Sequence, residues 1–395
     1  MSSGKPIVER RAPRLAALFV NYNTGEYARR AVTSLWAQRV YGHPLETEVV
    51  VVDNCSPLRE RDRPFLEWLR DEHGVKVIWN DRNAGYSAGM NLALAHTSAS
   101  HVLVVNPDVF FQEGCVEAML DVLHSSDDVG CVGPFDFLDE ALDLHLPIHP
   151  LPTLEDEVAK YRGRFRRSAS LTYSISRAKE AHRVHHSTAP VEVGMISGAC
   201  MLFRRSTIEQ IGFFDERYPL YYEDSDLCRR VWAAGLRVVQ VPSARMTHFV
   251  SRAVSTATSQ DSPMKRWYTA RLRYFRKWYG PLGEELVRRI EEEIPKRWRF
   301  AGKPATPCED LGTLIDAPTI HFSREVPLAL VEVALDSGFY LTATTYARGS
   351  SWTFPPAAWR IFFTGVKVFV RILDVRDFSV VGTWMFATRP DGGGA

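Results

Sequence analysis

The sequence predicts a layered α/β domain with a mainly parallel, Rossmann-like sheet, followed by a small, sandwich-like all-β domain. In roughly the first 135 residues, short apolar runs alternate with stretches of helical periodicity. This pattern is typical of a parallel sheet whose two faces are covered by helices. From about residue 310, short β-rich runs follow one another with turn-forming residues between them and no helical pattern. A chain of 395 residues also exceeds the usual size of one core, so several domains are expected.

The first elements are expected to alternate strictly. Each short apolar run is followed by a longer stretch in which apolar residues recur at helical spacing. The predicted strands are residues 15–20, 48–53, 76–79, 101–106 and 129–134. The predicted helices between them are residues 26–38, 58–72, 87–96 and 112–124.

The sheet is expected to resume after a break, with strands at residues 193–204 and 237–241. A helix between these strands is expected to begin near Asp224, where carboxylates suit the helix dipole. Its apolar residues follow at positions i, i+4 and i+7: Leu227, Val231 and Ala234. The sequence therefore predicts three regions: 1–260 as the α/β domain, 261–309 as a helical segment with a linker, and 310–395 as the β domain.

Two segments have unusual compositions. Residues 142–190 are rich in proline, histidine and basic residues, which predicts a partly helical insertion; their histidines lack the fixed spacing of metal ligands. Residues 264–282 hold six basic and six aromatic residues and no acidic one. This second segment is interpreted either as a helix that packs its aromatic residues on the core, or as a contact for an anionic membrane surface or a lipid diphosphate.

Composition excludes several classes of protein. With 48 basic and 47 acidic residues, the chain lacks the positive field of a nucleic-acid-binding protein. No apolar stretch reaches the ~18 residues of a membrane-spanning helix. Residues 1–14 contain no apolar signal core, and the six cysteines include no CxxC pair. Reduced thiols and a cytoplasmic location are therefore expected.

Polar residues follow three of the predicted strands where each strand ends. Because ligands of parallel sheets bind at these carboxyl ends, the residues predict a site: Asn21, Asn23, Asp53, Asn54, Asn106 and Asp108. Asp108 could hold a divalent cation, although Asn-Pro-Asp also suits a plain turn. The glycine-rich run at 83–91 could meet a phosphate or merely allow close packing, and it does not match GxGxxG.

Six motifs occur in a characteristic order: VNYNTGEY, VVDNCS, NDRNAGYSAGMN, VVNPDV, SGACMLFRR and IGFFDERYPLYYEDSDLCRRVWAAG. A late histidine, His248, follows them. Over residues 15–280 the chain resembles family 2 glycosyltransferases of the GT-A fold, and especially their bacterial rhamnosyltransferase-type members. It contains no QxxRW motif of the processive synthases, so a single-addition enzyme is expected.

The resemblance implies a role for individual residues. Glu223-Asp224 matches the catalytic pair, with Asp224 as the base and Asp226 as its rival. Asp108 and His248 match the positions that hold Mg²⁺ or Mn²⁺ on the donor diphosphate, although a structural role for His248 is an equal alternative. The sugar and acceptor are assigned to Ser197, Gly198 and Asp226. The nucleotide is assigned to Val20, Asn21, Asn23, Asp53, Asn54, Asn83, Gly85 and Asn106, with Asp53 reading the base.

The function expected from this resemblance is an inverting, metal-dependent sugar transfer. The first candidate is L-rhamnose from dTDP-L-rhamnose, moved to a bacterial cell-surface glycan or lipid-linked saccharide at the inner membrane face. UDP-linked galactofuranose, glucose or N-acetylhexosamine are alternative donors, and homo-oligomerisation is left open. A non-catalytic glycan-binding scaffold is the main rival; its β domain would use Trp352, Phe354 or Trp359 to stack on a sugar. A nucleotidyltransferase is disfavoured by NYNTGEY after the first strand.

Overall fold

The computed structural model describes residues 14–249, 263–297 and 303–389. The N-terminal segment used to predict location and the predicted boundary at 260/261 lie outside these residues. The strands of the first region are β1 (Leu15–Asn21), β2 (Arg39–Val40), β3 (His43–Pro44), β4 (Thr47–Asp53), β5 (Lys76–Trp79), β6 (His101–Val105), β7 (Val109–Phe111), β8 (Val129–Phe137), β9 (Val191–Glu192), β10 (Cys200–Arg204) and β11 (Arg237–His248).

Helices connect most of these strands. They are α1 (Gly25–Trp36), α2 (Arg59–His73), α3 (Tyr86–Ala95), α4 (Cys115–Ser125), α5 (Leu154–Phe165), α6 (Arg167–His185), α7 (Arg205–Ile211) and α8 (Glu223–Ala233). The alternation of strands and helices predicted for the first 135 residues is thereby confirmed.

One large sheet carries the first region, in the order β5-β4-β1-β6-β10-β8-β11-β7, with β9 beside β11. Strands β5, β4, β1 and β6 are parallel, and β10 runs antiparallel between β6 and β8. Every residue of β1 is buried, because α1, α2 and α4 pack on one face of the sheet and α3, α7 and α8 on the other. In the β1–β4 pair Asn21 lies opposite Asp53, so the polar strand ends are neighbours.

The strand predicted at 193–204 is wrong in its first part: only the short β9 and then β10 are regular. The intervening turn has a physical cause. The backbone N–H of Gly198 donates to Asp224 Oδ2 at 3.1 Å. This amide is therefore not available for a hydrogen bond to a neighbouring strand. The turn therefore brings residues 197–199 beside the start of α8.

The insertion at 142–190 forms α5 and α6, and Thr153 caps α5 by accepting a hydrogen bond from the Asp156 amide. Helix α6 packs on the C-terminal region, where Ala178 is buried with Leu330 and Leu373. The remaining elements are α9 (Pro263–Arg297), β12 (Glu309–Leu314), β13 (Thr319–Ala334), β14 (Ala343–Thr353), α10 (Pro356–Ile361), β15 (Lys367–Asp374) and β16 (Ser379–Thr388).

The predicted C-terminal β domain is confirmed as one five-stranded sheet, in the order β12-β16-β15-β13-β14. Helix α6 covers one face, where the second sheet of a sandwich would lie. Among the short β-rich runs expected from about residue 310, residues 359–365 do not form a strand: they end α10 and continue as a bend, because Pro356 at the first helical turn favours helix initiation. Trp352 and Phe354 are buried in the core, which supports core packing over sugar stacking.

Helix α9 contains the basic aromatic segment, with a break in helical geometry at Gly280. Ala270, Tyr274 and Phe275 are buried against Tyr218, so the structure supports the core-packing interpretation for these side chains. None of the described helices is both long and apolar enough to cross a membrane.

Candidate active site

A cleft of about 660 Å³ opens where β1, β4 and β6 end and α8 begins. Backbone and side chains from all of these elements line it. They are Val20, Tyr22, Thr24, Asn54, Asn83, Ala84, Gly85, Tyr86, Asn106, Pro107, Asp108, Ser197, Gly198, Ala199, Pro219, Leu220, Tyr221, Glu223, Asp224, His248 and Arg266. The structure thus brings together most of the site residues predicted from sequence.

One wall of the cleft pairs Asp108 with His248. Asp108 follows β6 and His248 ends β11, and the His248 Nε2 lies 3.3 Å from Asp108 Oδ1. The Phe249 amide donates to the Asp108 carbonyl at 3.0 Å, which fixes the two segments together. Burial by itself lowers the pKa of His248, but the charges of Asp108 and Asp136 outweigh it, so the pKa lies above its ordinary value.

A second wall is the first turn of α8, which carries Glu223 and Asp224. The two preceding residues, Tyr221 and Tyr222, have positive φ angles of 70° and 65°, a conformation that costs roughly 1–3 kcal/mol per residue and is concentrated at functional sites. Asp224 accepts hydrogen bonds from the amides of Gly198 and Ser225. These contacts hold the Asp224 carboxylate at the N-terminus of the helix, where its negative charge is favoured.

Glu223 has a different environment from its neighbour. Only 8% of the residue is exposed, and its Oε2 has no hydrogen-bond partner in the part of the chain that the structure describes. Burial, reinforced by the charge of Asp224, raises the pKa of Glu223 well above its ordinary value. The pair therefore offers one hydrogen-bonded carboxylate and one carboxyl group that favours its neutral form.

The glycine-rich segment at 83–91 forms the third side. Asn54 Nδ2 donates to Asn83 Oδ1 and to the Gly85 carbonyl, both at 3.0 Å. Tyr86 donates from its hydroxyl to the Gly198 carbonyl at 3.2 Å. This segment is therefore tied to the strand end that carries Asn54 and to the turn beside Asp224.

Asn21, Asn23 and Asp53 lie behind the cleft surface. Asp53 is fully buried; its carboxylate accepts from Asn21 Nδ2 and Arg59 Nε, both at 2.8 Å. In this arrangement these residues hold the loops that carry Val20 and Asn54. The structure therefore provides no free Asp53 carboxylate for the predicted direct contact with the base.

The prediction for Asp226 is corrected. Asp226 is fully buried and absent from the cleft lining. Its oxygens pair with Arg230 and Lys277 and accept from Trp278 Nε1 at 2.9 Å. Asp224 and Asp226 are two residues apart, about 200° around the helix axis, so Asp226 lies on the opposite side of α8 from Asp224 and joins α8 to α9.

Sequence reasoning missed several residues of the site. Tyr22, Tyr86, Tyr221 and Arg266 line the cleft, and Tyr86 lay inside a motif already singled out. His149 of the insertion is a further neighbour: burial lowers its pKa while the charge of Asp224 acts to raise it. No spacing signal marks His149, because the insertion reaches Asp224 only through the tertiary fold.

The arrangement suits group transfer between two bound substrates. Across the residues described here, no three His, Cys, Asp or Glu side chains converge as a complete metal site. Asp108 and His248 nevertheless offer an oxygen and a nitrogen close together. A divalent cation held by two such ligands would need oxygens from a substrate, and Mg²⁺ typically completes its shell with phosphate oxygens.

Comparisons with known proteins agree with this geometry. Residues 17–212 match the family model described as glycosyl transferase family 2, and residues 157–380 match glycosyl transferase family group 2, which spans more than half of the chain. An N-acetylglucosaminyl-diphospho-decaprenol L-rhamnosyltransferase of Mycobacterium tuberculosis is 29% identical over 252 residues, covering 59% of this chain and 75% of the relative.

Two further relatives are similar over shorter spans. The low-salt glycan biosynthesis hexosyltransferase Agl10 of Haloferax volcanii is 27% identical, covering 57% of this chain and 64% of the relative. Rhamnosyltransferase WbbL of Escherichia coli is 26% identical, covering 42% and 61%. Together with the mainly parallel sheet and its strand-end cleft, these matches identify the chain as a nucleotide-sugar-dependent glycosyltransferase that belongs to family 2 and has the GT-A fold.

Proposed function

We propose that the chain inverts the anomeric centre of a nucleotide-linked sugar as it transfers that sugar to a saccharide acceptor. The observation that carries the proposal is the meeting of Asp224, at the start of α8, with the Asp108–His248 pair in a single cleft. Transfer with inversion needs a base at the acceptor hydroxyl and stabilisation of the leaving diphosphate on one rigid frame.

Asp224 is the proposed base. Its carboxylate takes the proton of the acceptor hydroxyl while that oxygen bonds to the anomeric carbon of the donor and the bond to the diphosphate breaks. The amides of Gly198 and Ser225 fix the orientation of this carboxylate. Glu223, beside it, would stay neutral and donate a hydrogen bond to a sugar hydroxyl.

The donor set of Asp108 and His248 fits Mg²⁺ or Mn²⁺ bound together with a diphosphate. When bound there, the cation would neutralise charge that develops on the leaving group. Asn54 and the segment at 83–85 would hold the nucleotide beside it. Val20, Asn106 and Ser197 line the same cleft.

The relatives guide the choice of substrates. Two of them are named as rhamnosyltransferases, and the Mycobacterium relative acts on a diphospho-decaprenol saccharide by its name. We take L-rhamnose from dTDP-L-rhamnose as the first donor and a lipid-linked saccharide of cell-surface glycan synthesis as the first acceptor. With this acceptor, the proposed site of action is the inner face of the membrane, and UDP-sugars are the second proposed donor group.

The test is a thermal-shift panel of nucleotide sugars with and without Mg²⁺ and Mn²⁺. A ligand that binds only the folded state raises the melting temperature by mass action. We expect a metal-dependent shift with dTDP-L-rhamnose that is lost in Asp108→Ala. It should persist in Asp127→Ala, a control at an exposed aspartate between α4 and β8.

The panel separates the alternatives. A shift with UDP-sugars alone would discard rhamnose and retain the reaction. A shift that is independent of metal would remove Asp108 and His248 from the proposed cation site. No shift with any nucleotide would contradict the proposed function.

A further inference from the structure

Arg266 occupies an unusual place in the cleft. It lies in the first turn of α9 and lines the same cavity as Glu223 and Asp224. Among residues 14–249, 263–297 and 303–389, its buried Nε atom has no hydrogen-bond partner and its guanidinium forms no salt bridge. A guanidinium that lines this cavity and pairs with no carboxylate of the described residues is positioned for an anion from outside the protein.

Other cations of α9 are already used by the protein. Within residues 264–282, three of the basic residues pair with carboxylates: Arg271 with Glu157 and Glu291, Arg276 with Glu284, and Lys277 with Asp215 and Asp226. These pairs give a structural role to three of the six basic residues of the segment. Arg266 is not explained in this way.

The part of α9 that carries Arg266 is held in place. The adjacent Trp267 packs on Tyr222 with ring centroids 6.1 Å apart, and Ala270 and Tyr274 are buried within the next two turns. The charge of Arg266 acts to lower the pKa of Tyr221, against the burial that raises it, so the guanidinium lies near the loop before α8. A cation on such a rigid element is a precise recognition group.

The chemistry of the anion follows from charge. A guanidinium binds phosphate through parallel N–H···O bonds, and a desolvated one is costly without such a partner. Two phosphate sources enter this cleft in the proposed reaction, the donor diphosphate and a phosphate-bearing acceptor. The donor diphosphate is assigned to the Asp108–His248 wall, whereas Arg266 lies near Tyr221, in the loop that leads into Asp224, the proposed base at the acceptor hydroxyl.

We propose that Arg266 is a specificity-determining residue that binds a phosphate of the acceptor next to the sugar that receives the transfer. This inference rests on the proposed function, because it takes the acceptor side of the cleft from the role of Asp224. Arg266 would then make the enzyme prefer a saccharide that is carried on a phosphate or diphosphate to the same saccharide with a neutral aglycone.

The direct test measures binding without turnover. Farnesyl diphosphate is titrated into the full-length protein with the donor site saturated by dTDP, and inorganic pyrophosphate is titrated in parallel. We expect Arg266→Gln to weaken binding of farnesyl diphosphate by about 10- to 100-fold. Arg266→Lys should recover part of the loss. Arg273→Gln is the matched control, because Arg273 is exposed on the same helix.

Two outcomes of this titration overturn the inference: no binding of farnesyl diphosphate to the wild-type protein, or equal binding to the wild-type protein and Arg266→Gln. A measurement of dTDP affinity separates the phosphate sources. If Arg266→Gln weakens dTDP as strongly as farnesyl diphosphate, the arginine binds the donor. If pyrophosphate binds as tightly as farnesyl diphosphate, the site recognises a free phosphate.

Kinetics then connect binding to specificity. With a diphosphate-linked saccharide, Arg266→Gln should raise the acceptor KM by about 10-fold or more, and with the neutral aglycone it should change little. An equal loss on both acceptors would mean that Arg266 only maintains the cleft. Absence of transfer by the wild-type protein would contradict the proposed function, whereas the titration would still test whether Arg266 binds a phosphate.

Discussion

Glu223 and Asp224 are adjacent carboxyl groups with opposite environments. Asp224 accepts two backbone hydrogen bonds, while Glu223 is buried and leaves Oε2 without a partner. Because burial disfavours the charged form, the pKa of Glu223 is raised well above its ordinary value and its carboxyl group favours the neutral form. The two residues are therefore expected to differ in mutational sensitivity.

Glu223→Gln should retain kcat within about tenfold, because a neutral amide reproduces the shape and the donor capacity of a neutral carboxyl. The stability should also change in a defined direction. A folded-state pKa above 4.5 makes the contribution of Glu223 to stability fall as pH rises. The melting temperature of the variant, relative to wild type, should therefore be higher at pH 8 than at pH 5. A loss of kcat as large as that of Asp224→Asn would show that ionised Glu223 is required.

For individual residues, the sequence locates a motif more reliably than it assigns a role to each residue in the motif. The spacing around Asp224 and Asp226 predicted a helix start correctly, and family resemblance ranked Asp224 first. Burial of Asp226 between Arg230 and Lys277 depends on α9, more than fifty residues farther along the chain. No local pattern carries that information.

In the segment at 83–91, the backbone lies very close to Pro219 at one residue, Gly85. Gly85 has φ +91° and ψ 166°, a region reserved almost entirely for glycine. A Cβ added there would lie 2.6 Å from Pro219 Cβ. This contact sets the distance between the nucleotide side of the cleft and the loop before α8.

Gly85→Ala should therefore cost at least about 2 kcal/mol of stability, from backbone strain and overpacking together, and should weaken nucleotide binding. Gly74→Ala is the control: Gly74 is also left-handed, at φ 69°, but an added Cβ there meets nothing within 4 Å. Denaturant unfolding and thermal shift measure the two effects. Equal destabilisation by both substitutions, with nucleotide binding intact, would contradict the importance of the Gly85–Pro219 contact.

Elements with a continuous apolar pattern were predictable. The strands β1, β4, β6 and β8 follow from their runs of mostly buried apolar residues, and β5 follows from a short apolar run that is only partly buried. The errors lie where a polar contact or a proline overrides the pattern, as at Gly198 and Pro356. Short apolar runs alone do not distinguish a strand from a short helix.

For the molecule as a whole, α6 and the preceding loop connect the large sheet to the C-terminal sheet. His145 and His185 stack with centroids 4.2 Å apart, and His185 Nδ1 lies 2.6 Å from Thr344 Oγ1 of β14. Burial lowers the pKa of His145 to about 3, with the charge of Arg245 acting in the same direction. Burial, with His145 beside it, also lowers the pKa of His185 well below its ordinary value.

Acid should therefore destabilise the contact between the two sheets. The folded-state pKa values of His145 and His185 lie below 6.5, so the unfolded chain binds more protons than the folded chain as the pH falls. The contribution of the two histidines to the free energy of unfolding is therefore fully present above pH 6.5 and is lost as the pH falls below it. Between pH 6.5 and 5 each histidine that stays neutral costs about 2 kcal/mol.

Urea unfolding at pH 7.5 and 5.0 checks this prediction. His185→Gln, which keeps a hydrogen-bonding amide near Thr344 and does not titrate, should lose about half of the histidine contribution to the pH dependence. The same pH dependence in the wild-type protein and His185→Gln would contradict neutral burial of the pair.

The assembly of the site was only partly predictable from sequence. The residues of the strand ends and of α8 were identified because they occur in ordered motifs. Arg266 and His149 were missed as individual site residues, since they reach the cleft through the packing of α9 and of the insertion. Such long-range contacts are set by tertiary structure, whereas the motifs that identify the family are local.

The most direct test of the account is product formation from dTDP-L-rhamnose and a lipid-linked saccharide by wild type, Asp224→Asn and Asp226→Asn. We expect Asp224→Asn to lower kcat by about 10²- to 10⁴-fold and to leave nucleotide binding unchanged. Asp226→Asn should lower the melting temperature while its folded fraction keeps kcat. Full activity of Asp224→Asn, under conditions where the wild-type enzyme forms product, would contradict the assignment of Asp224 as the base.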